Sequence, residues 1–554
     1  MTCAAYSLRF ERMDNLNKSI LYSNGIIDTG TGNNRVQALL VKEGRIMMAG
    51  KRDEIISKFG EPDKEISLQN HYVMPGFVDS HIHLMGYGFS LEAIDLSGAG
   101  SIEEIQQICS SHLKKNQPAP GKWIIGRGWN QNLFPEAKFP EREALDQITE
   151  DHPLLLLRIC GHIATVNTKG LKNVYPTDEQ MPEGMKEWLT RGIVLEDELE
   201  WFKTKMNPKP DRNDLKRAII NASEHLLAYG VTSVHTEDSY DLGYGGAFEE
   251  IRAAYQELME EEQLPVRIYQ KISMPTPETL DQWLQGNERT GMGNDFYRTG
   301  PMKLWLDGTL GARTAALREP YADDPDNTGM LLYDDETLEK MVFKAHENGM
   351  QVCLHAIGDA ALDQALTVYE KIFEQTRLPL RHRIIHCQIG DEALYKRMAK
   401  IGVTGDIQFS FTASDWSIVT PRLGAERAKA AYAWKSLMDA GIPLTGGSDS
   451  PVEIPNPFIG LQAAVTRKDL NGEPLKGFNP EQALSLSEAV TIHTMGSAAA
   501  AGESHEKGTL ESGKFADFIV LSQDPYKTPV DKIAEIKVLA VWVSGKQRVG
   551  HGLF

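Results

Sequence analysis

The sequence predicts an α/β protein, a TIM (β/α)8 barrel with a large insertion after strand 1 and a small composite β-sandwich made from the N- and C-terminal segments. Three observations predict it. Through the middle of the chain, β-rich runs that end in polar residues alternate with helical patterns, which implies parallel βα units. One connection, from about residue 90 to 220, is too long for a single crossover and holds strands of its own. The two ends share a different texture, short strands broken by Gly-containing turns. Residues 1–72 and 501–554 are therefore expected to form the two parts of the sandwich, and 73–500 the barrel with its insertion.

The N-terminal part reads "SILYSNGIIDTGTG", "QALLVKEGRIMMAG" and "EISLQNHYVMPG". The first barrel strand lies in "VMPGFVDSHIHLMGYG", Val73 to Gly88, where a period of two puts Phe77, Asp79, His81 and His83 on one face and Val78, Ser80 and Ile82 on the other. The insertion supplies "KWIIGRGW" (Lys122 to Trp129) and "PLLLLRICGH" (Pro153 to His162). Seven further barrel strands are expected in "GVTSVHTED" (Gly230 to Asp238), "PVRIYQKIS" (Pro265 to Ser273), "MKLWLDGT" (Met302 to Thr309), "GMQVCLHAIGDA" (Gly349 to Ala360), "RHRIIHCQ" (Arg381 to Gln388), "GVTGDIQ" (Gly402 to Gln408) and "GIPLTGGSDSP" (Gly441 to Pro451). The closing "GTLESGKFADFIVLS" and "EIKVLAVWVSGKQRV" are expected to pair with the N-terminal strands.

A chain of 554 residues that is 41% hydrophobic and 24% charged has the composition of an ordinary globular protein. Its 58 basic side chains face 77 acidic ones, a formal charge of −19, with no Lys/Arg-rich block, so neither nucleic acid nor an anionic membrane is an expected partner. Cys3, Cys109, Cys160, Cys353 and Cys387 lack C-x-x-C spacing, which argues against a disulfide framework or a cysteine zinc knot and fits a reducing compartment. The N-terminus "MTCAAYSLRFERMDN" meets charge before an apolar run develops, and a cytoplasmic protein is expected. The partner expected is a small-molecule substrate; a homo-oligomer, in the simplest case a dimer, is left open.

Which side chains face the barrel lumen can be read strand by strand. In "PMKLWLDG" the apolar Met302, Leu304 and Leu306 take the outer face, so Lys303 points inward. The same alternation leaves His355 inside "QVCLHAIGD" and His386 inside "RIIHCQ", while Asp449 follows the last strand. Four imidazoles (His81, His83, His355, His386) and a carboxylate at strand ends are donors that suit zinc, at roughly 2.0–2.2 Å, although iron, manganese and nickel accept the same set. Lys303 in that set has an ordinary alternative, an ion pair with Asp307 or Asp449.

These motifs, with "GRGWN", "GHIATVN", "KLWLDGTLGARTAAL", "HAIGDAALDQAL", "GGSDSP" and "GTLESGKFADFIVL", make the chain resemble the amidohydrolase superfamily, and within it the large-insert YtcJ-like hydrolases that include N-substituted formamide deformylases. The resemblance spans nearly the whole chain. It implies that His81 and His83 bind one divalent metal and His355 and His386 another, so one or two per chain, with Asp449 at the metal water. It also implies that Lys303 is carbamylated by carbon dioxide and bridges the metals. Burial supports this, because it disfavours an ammonium and leaves a free amine able to react. Asn130, Arg191 and Phe409 depart from the subgroup's pattern at positions expected to touch substrate.

The chemistry implied is hydrolysis of C–N bonds in amides, N-substituted formamides or cyclic amides by a metal-activated hydroxide, with Asp449 moving the proton. His162 and His235 are further catalytic candidates for oxyanion or substrate contacts, each with an equal reading as a structural histidine. Trp129 and Arg313 are substrate-binding candidates, the one alternatively a packing residue and the other the partner of an acidic neighbour. Asp307 is expected to orient a ligand lysine or histidine, with a packing or helix-capping role as its alternative, and His493 is not read as a ligand. Deamination or decarboxylation on the same centre is the alternative reaction, and a non-catalytic scaffold is the alternative from another class.

Overall fold

The computed structural model describes residues 18–32, 35–159, 163–238, 248–376 and 380–554. The chain divides into two compact units: one runs up to Leu84 and adds Ser223–Glu237 and Glu262–Phe554, and the other is Met85–Ala222 with Asp238–Glu261.

In the first unit, eight strands form one sheet in chain order: β1 (Phe77–Ile82), β2 (Val231–Glu237), β3 (Arg267–Ser273), β4 (Tyr297–Trp305), β5 (Val352–Ala356), β6 (Arg383–His386), β7 (Thr404–Ile407) and β8 (Leu444–Gly446). Every neighbouring pair is parallel, as the βα alternation predicts. Backbone beyond β8 then bonds back to the end of β1, Asp449 N–H to His81 O at 2.7 Å and His83 N–H to Ser450 O at 2.8 Å. Gly447 permits that approach, since a Cβ there would lie 2.4 Å from the His81 nitrogen. The structure is thus the TIM-like arrangement expected.

The crossover helices follow from caps and apolar stripes. Asp391 accepts the Leu394 amide to start Glu392–Ile401, and Gly402, at φ 67°, ends it. Helix Asp359–Gln375 buries Leu362, Ala365, Leu366, Tyr369 and Ile372, one face at spacings of three and four. Each strand packed beneath such helices is covered on both sides, which is why their sequences read as nearly unbroken apolar runs.

The ends of the chain build two further sheets. One orders Arg45–Gly50, Ala38–Lys42, Ile20–Ser23 and Lys64–Ser67. The other joins Tyr72–Pro75 antiparallel to Phe518–Leu521, which continues into Val538–Val543. Their shared core centres on Trp542, stacked on Phe518 at 4.7 Å with Tyr22 edge-on to both. Below it, Asp517 makes a buried bidentate pair with Arg267 of β3, at 2.7 and 2.9 Å.

The second unit holds a five-stranded sheet ordered Ile193–Leu195, Ile163–Val166, Leu154–Arg158, Ile124–Trp129 and Ile94–Asp95. Both strands expected within the insertion are among them. Among the described residues no helix is long and apolar enough to cross a membrane.

Candidate metal centre

Four histidines lie in a continuous row at the C-terminal ends of β1, β5 and β6. Ring centroids are 5.2 Å apart for His83 and His81, 5.6 Å for His81 and His386, and 4.5 Å for His386 and His355. Asp449 closes the group from beyond β8: its Oδ1 is 3.1 Å from His83 Nε2 and 3.3 Å from His81 Nε2. His81, His83 and Asp449 are the buried trio whose ligand atoms converge closely enough to hold one ion.

The hydrogen bonds behind the rings decide which nitrogen faces inward. His83 Nδ1–H donates to Glu237 O at 2.7 Å, His355 Nδ1–H to Asp307 Oδ1 at 3.0 Å, and His386 Nδ1–H to Gln408 Oε1 at 2.8 Å. Gln408 is held in that orientation by its own amide, which donates to Asp406 O. A neutral imidazole with hydrogen on Nδ1 carries its lone pair on Nε2. His83 Nε2 and Asp449 Oδ1 are thus two acceptors facing each other, repulsive alone and attractive around a cation. This arrangement fits a divalent metal, with the fixed Nδ1 partners supplying the outer support such ligands need.

Electrostatics favours the same state. Burial, reinforced by the charges of Lys271 and Lys303, holds His81 well below the usual histidine range. Burial and His355 do the same to His386. Burial alone would raise Asp449, but the surrounding His83, His386 and Lys303 outweigh that and hold its carboxyl below the usual carboxylate range. Asp449 and His386 also have left-handed backbones, φ 59° and 77°, conformations costly for non-glycine residues and concentrated at functional sites.

Lys303 is completely buried near this group, and its Nζ has no hydrogen-bond partner among the described residues. Burial pulls its pKa down. The expected alternative, an ion pair with Asp307 or Asp449, is not formed: Asp307 is committed to His355 and to the amides of Ala316, Ile357 and Gly358. Asp307 therefore orients the His355 ring.

Other expectations meet different surroundings. His235 does not reach the mouth; it is buried in the lumen, its Nδ1 accepting from Arg383 at 3.1 Å. Trp129 does not line an open pocket, being wholly buried in the core of its own unit with Nε1–H donating to Leu156 O at 2.8 Å. It is the last residue of strand Ile124–Trp129, and its indole lies on the packed face. Arg313 takes the acidic-neighbour reading in a bidentate pair with Asp323. Arg191 pairs with Glu141, and Phe409 is buried beside His493. His162 lies outside the described residues.

Sequence reasoning missed a charged layer beneath the histidines. Lys271 of β3 donates to Ser80 O at 2.8 Å and lies 2.7 Å from His81 Nδ1, while Arg383 donates to Ser80 O and pairs with Asp406. The signal was present, since the alternation that turned Lys303 inward does the same for Lys271 in "RIYQKIS".

Fold and site together define a class, and comparison with known proteins names it: the chain belongs to the amidohydrolase family, whose profile matches residues 64–549. It is 33% identical to YtcJ of Bacillus subtilis (strain 168) over 525 residues, 92% of this chain and 96% of the relative. It is 24% identical over 542 residues to the N-substituted formamide deformylase of Arthrobacter pascens, 93% and 95% of the two chains. The crystal structure of a metal-dependent hydrolase from Pyrococcus horikoshii OT3 superposes with a TM-score of 0.79 at 32% identity, covering 92% of this chain and 99% of that one.

Proposed function

We propose that the protein hydrolyses C–N bonds of amide, N-substituted formamide or cyclic amide substrates with a divalent metal, zinc fitting the donors best. The observation that carries the reading is that His83 Nε2 and Asp449 Oδ1, two acceptors 3.1 Å apart, face one another with His81 Nε2 beside them, an arrangement that calls for a cation. Family membership supports the reaction type, and the name of the Arthrobacter relative supports the bond.

His81, His83 and Asp449 would hold one ion; His355 and His386, with Lys303 as a carbamate formed from carbon dioxide, would supply ligands for a second. When bound, such an ion lowers the pKa of a water towards 7 and polarises a carbonyl. The chain does the rest. Asp307, Glu237 and Gln408 keep the imidazole Nδ1 hydrogens facing outward. Asp449, beside His81 and His83, would accept the proton of the attacking water and return it to the leaving nitrogen.

The test is a panel of N-formyl, N-acyl and cyclic amides assayed with metal-reconstituted protein, followed by chelation. Turnover of one amide class that is lost on chelation and regained with metal is expected. Turnover of aminated heterocycles with ammonia release, and none of the amides, would replace this reading with deamination.

A further inference from the structure

Arg467 follows helix Pro457–Thr466 and has a left-handed backbone, φ 57°. Phe478 N–H donates to its carbonyl at 2.7 Å, and its Nε–H donates to Phe478 O at 2.8 Å. The side chain is 0% exposed. Its Nη1 and Nη2 have no hydrogen-bond partner among the described residues, and no carboxylate among them lies within 4 Å of it; Glu481, an exposed residue, and Tyr432 act on the guanidinium from farther away.

A second buried donor borders the same aromatic cluster. Trp434 Nε1 is also without a partner. Its ring is 5.6 Å from Tyr432, Tyr432 is 6.2 Å from Phe478, and the Arg467 guanidinium is 5.6 Å from the Phe478 ring. The Tyr432 hydroxyl donates to Asp415 at 2.6 Å, with Gln388 Oε1 3.2 Å away, and is a hydrogen-bond partner of neither group.

All the unmet capacity here is donor capacity, and one of the groups is positive. Burial lowers the Arg467 pKa only to about 10, so the guanidinium is charged at neutral pH. A water could accept the hydrogen bonds but would leave the charge uncompensated, and a buried charge persists only when paired. A larger carboxylate has no exposed surface of Arg467 to reach.

We propose that Arg467 holds a buried monovalent anion of the halide class, chloride under ordinary conditions, bounded by Tyr432, Trp434 and Phe478. The anion braces a segment that matters to the metal centre: Tyr432 N–H donates to the carbonyl of Gln388, two residues beyond His386.

Two experiments on the full-length protein test this. Crystals grown or soaked in bromide are examined by anomalous scattering, and a peak within hydrogen-bonding reach of the Arg467 Nη atoms is expected. Thermal unfolding is followed at fixed ionic strength while chloride replaces gluconate; the midpoint of the parent should rise and level off as a site fills, and that of Arg467→Met should not respond. A non-anomalous water at the site, the Glu481 carboxylate turned onto Arg467, or the same chloride response in both proteins would overturn the proposal. If Arg467→Met does not fold, the scattering experiment on the parent decides alone.

Discussion

Asp307 spends both carboxylate oxygens on fixed donors: Oδ1 accepts from His355 Nδ1 at 3.0 Å and the Ile357 amide, and Oδ2 accepts from the Ala316 and Gly358 amides. The carboxylate therefore sets both the ring of His355 and the loop beyond it. Asp307→Asn keeps the volume but turns one acceptor into a donor, which must face either the imidazole or the backbone N–H groups. Metal affinity is expected to fall roughly 10–100-fold, the usual loss when such an outer partner is removed. Competition with a chromophoric chelator measures it, and unchanged affinity would separate Asp307 from the metal site.

Lys303→Ala removes the one buried amine beside the site that has no hydrogen-bond partner among the described residues. If the amine is carbamylated, bound metal should drop and turnover should nearly vanish, with short carboxylic acids restoring part of it by filling the gap. Metal analysis and rates on the variant settle the point; unchanged stoichiometry and rate, with density for an unmodified lysine in the parent, would favour a single-metal centre.

Asp449→Asn retains the shape of the side chain and removes its basicity. Turnover of a substrate found in the amide panel should fall about a hundredfold or more. Activity within a few-fold of the parent would take Asp449 out of the proton transfer.

Stability should depend on acid through His382. Its Nδ1 accepts the Val352 amide at 2.9 Å, its Nε2–H donates to His346 Nδ1 at 3.0 Å, and the ring stacks on Tyr369 at 4.9 Å. Burial holds its pKa down at about 3. The folded state thus binds this proton far more weakly than an unfolded chain, whose histidines titrate near 6.5. The contribution is complete above about pH 6.5 and is lost as pH falls towards 3. His382→Phe keeps the stack but can accept neither the proton nor the Val352 amide. It should cost about 1–3 kcal/mol at pH 8 and flatten the decline in unfolding midpoint between pH 6 and 4. An undiminished acid slope in the variant would assign that slope elsewhere.

Much of the centre was legible because strand periodicity is local: the spacing of His81 and His83 and the alternation around Lys303 and His355 show direction without a fold. The supports were legible only where they lie a few residues away. Lys271 meets His81 across the lumen from 190 positions along the chain, and alternation marks both as inward without saying which layer each occupies. Asp449 was expected just after the last strand and lies there, three residues beyond Gly446, but nothing in the sequence announced its left-handed backbone. Trp129 misled for a related reason, since a tryptophan in a glycine-rich motif looks poised for a ligand until the sheet beside it supplies the Leu156 carbonyl.

The antiparallel pairing of Phe518 with Pro75 joins the strand that leads into the metal centre to one made among the last parts of the chain. During synthesis, Tyr72–Pro75 can pair with Ile26–Asp28 on one side, but its other edge must wait until more than four hundred later residues have left the ribosome. So long a wait makes the nascent enzyme vulnerable to chaperone-dependent delay and to edge-to-edge aggregation. Trimming the C-terminal strands should accordingly disturb the placement of His81 and His83 through the strand that precedes them.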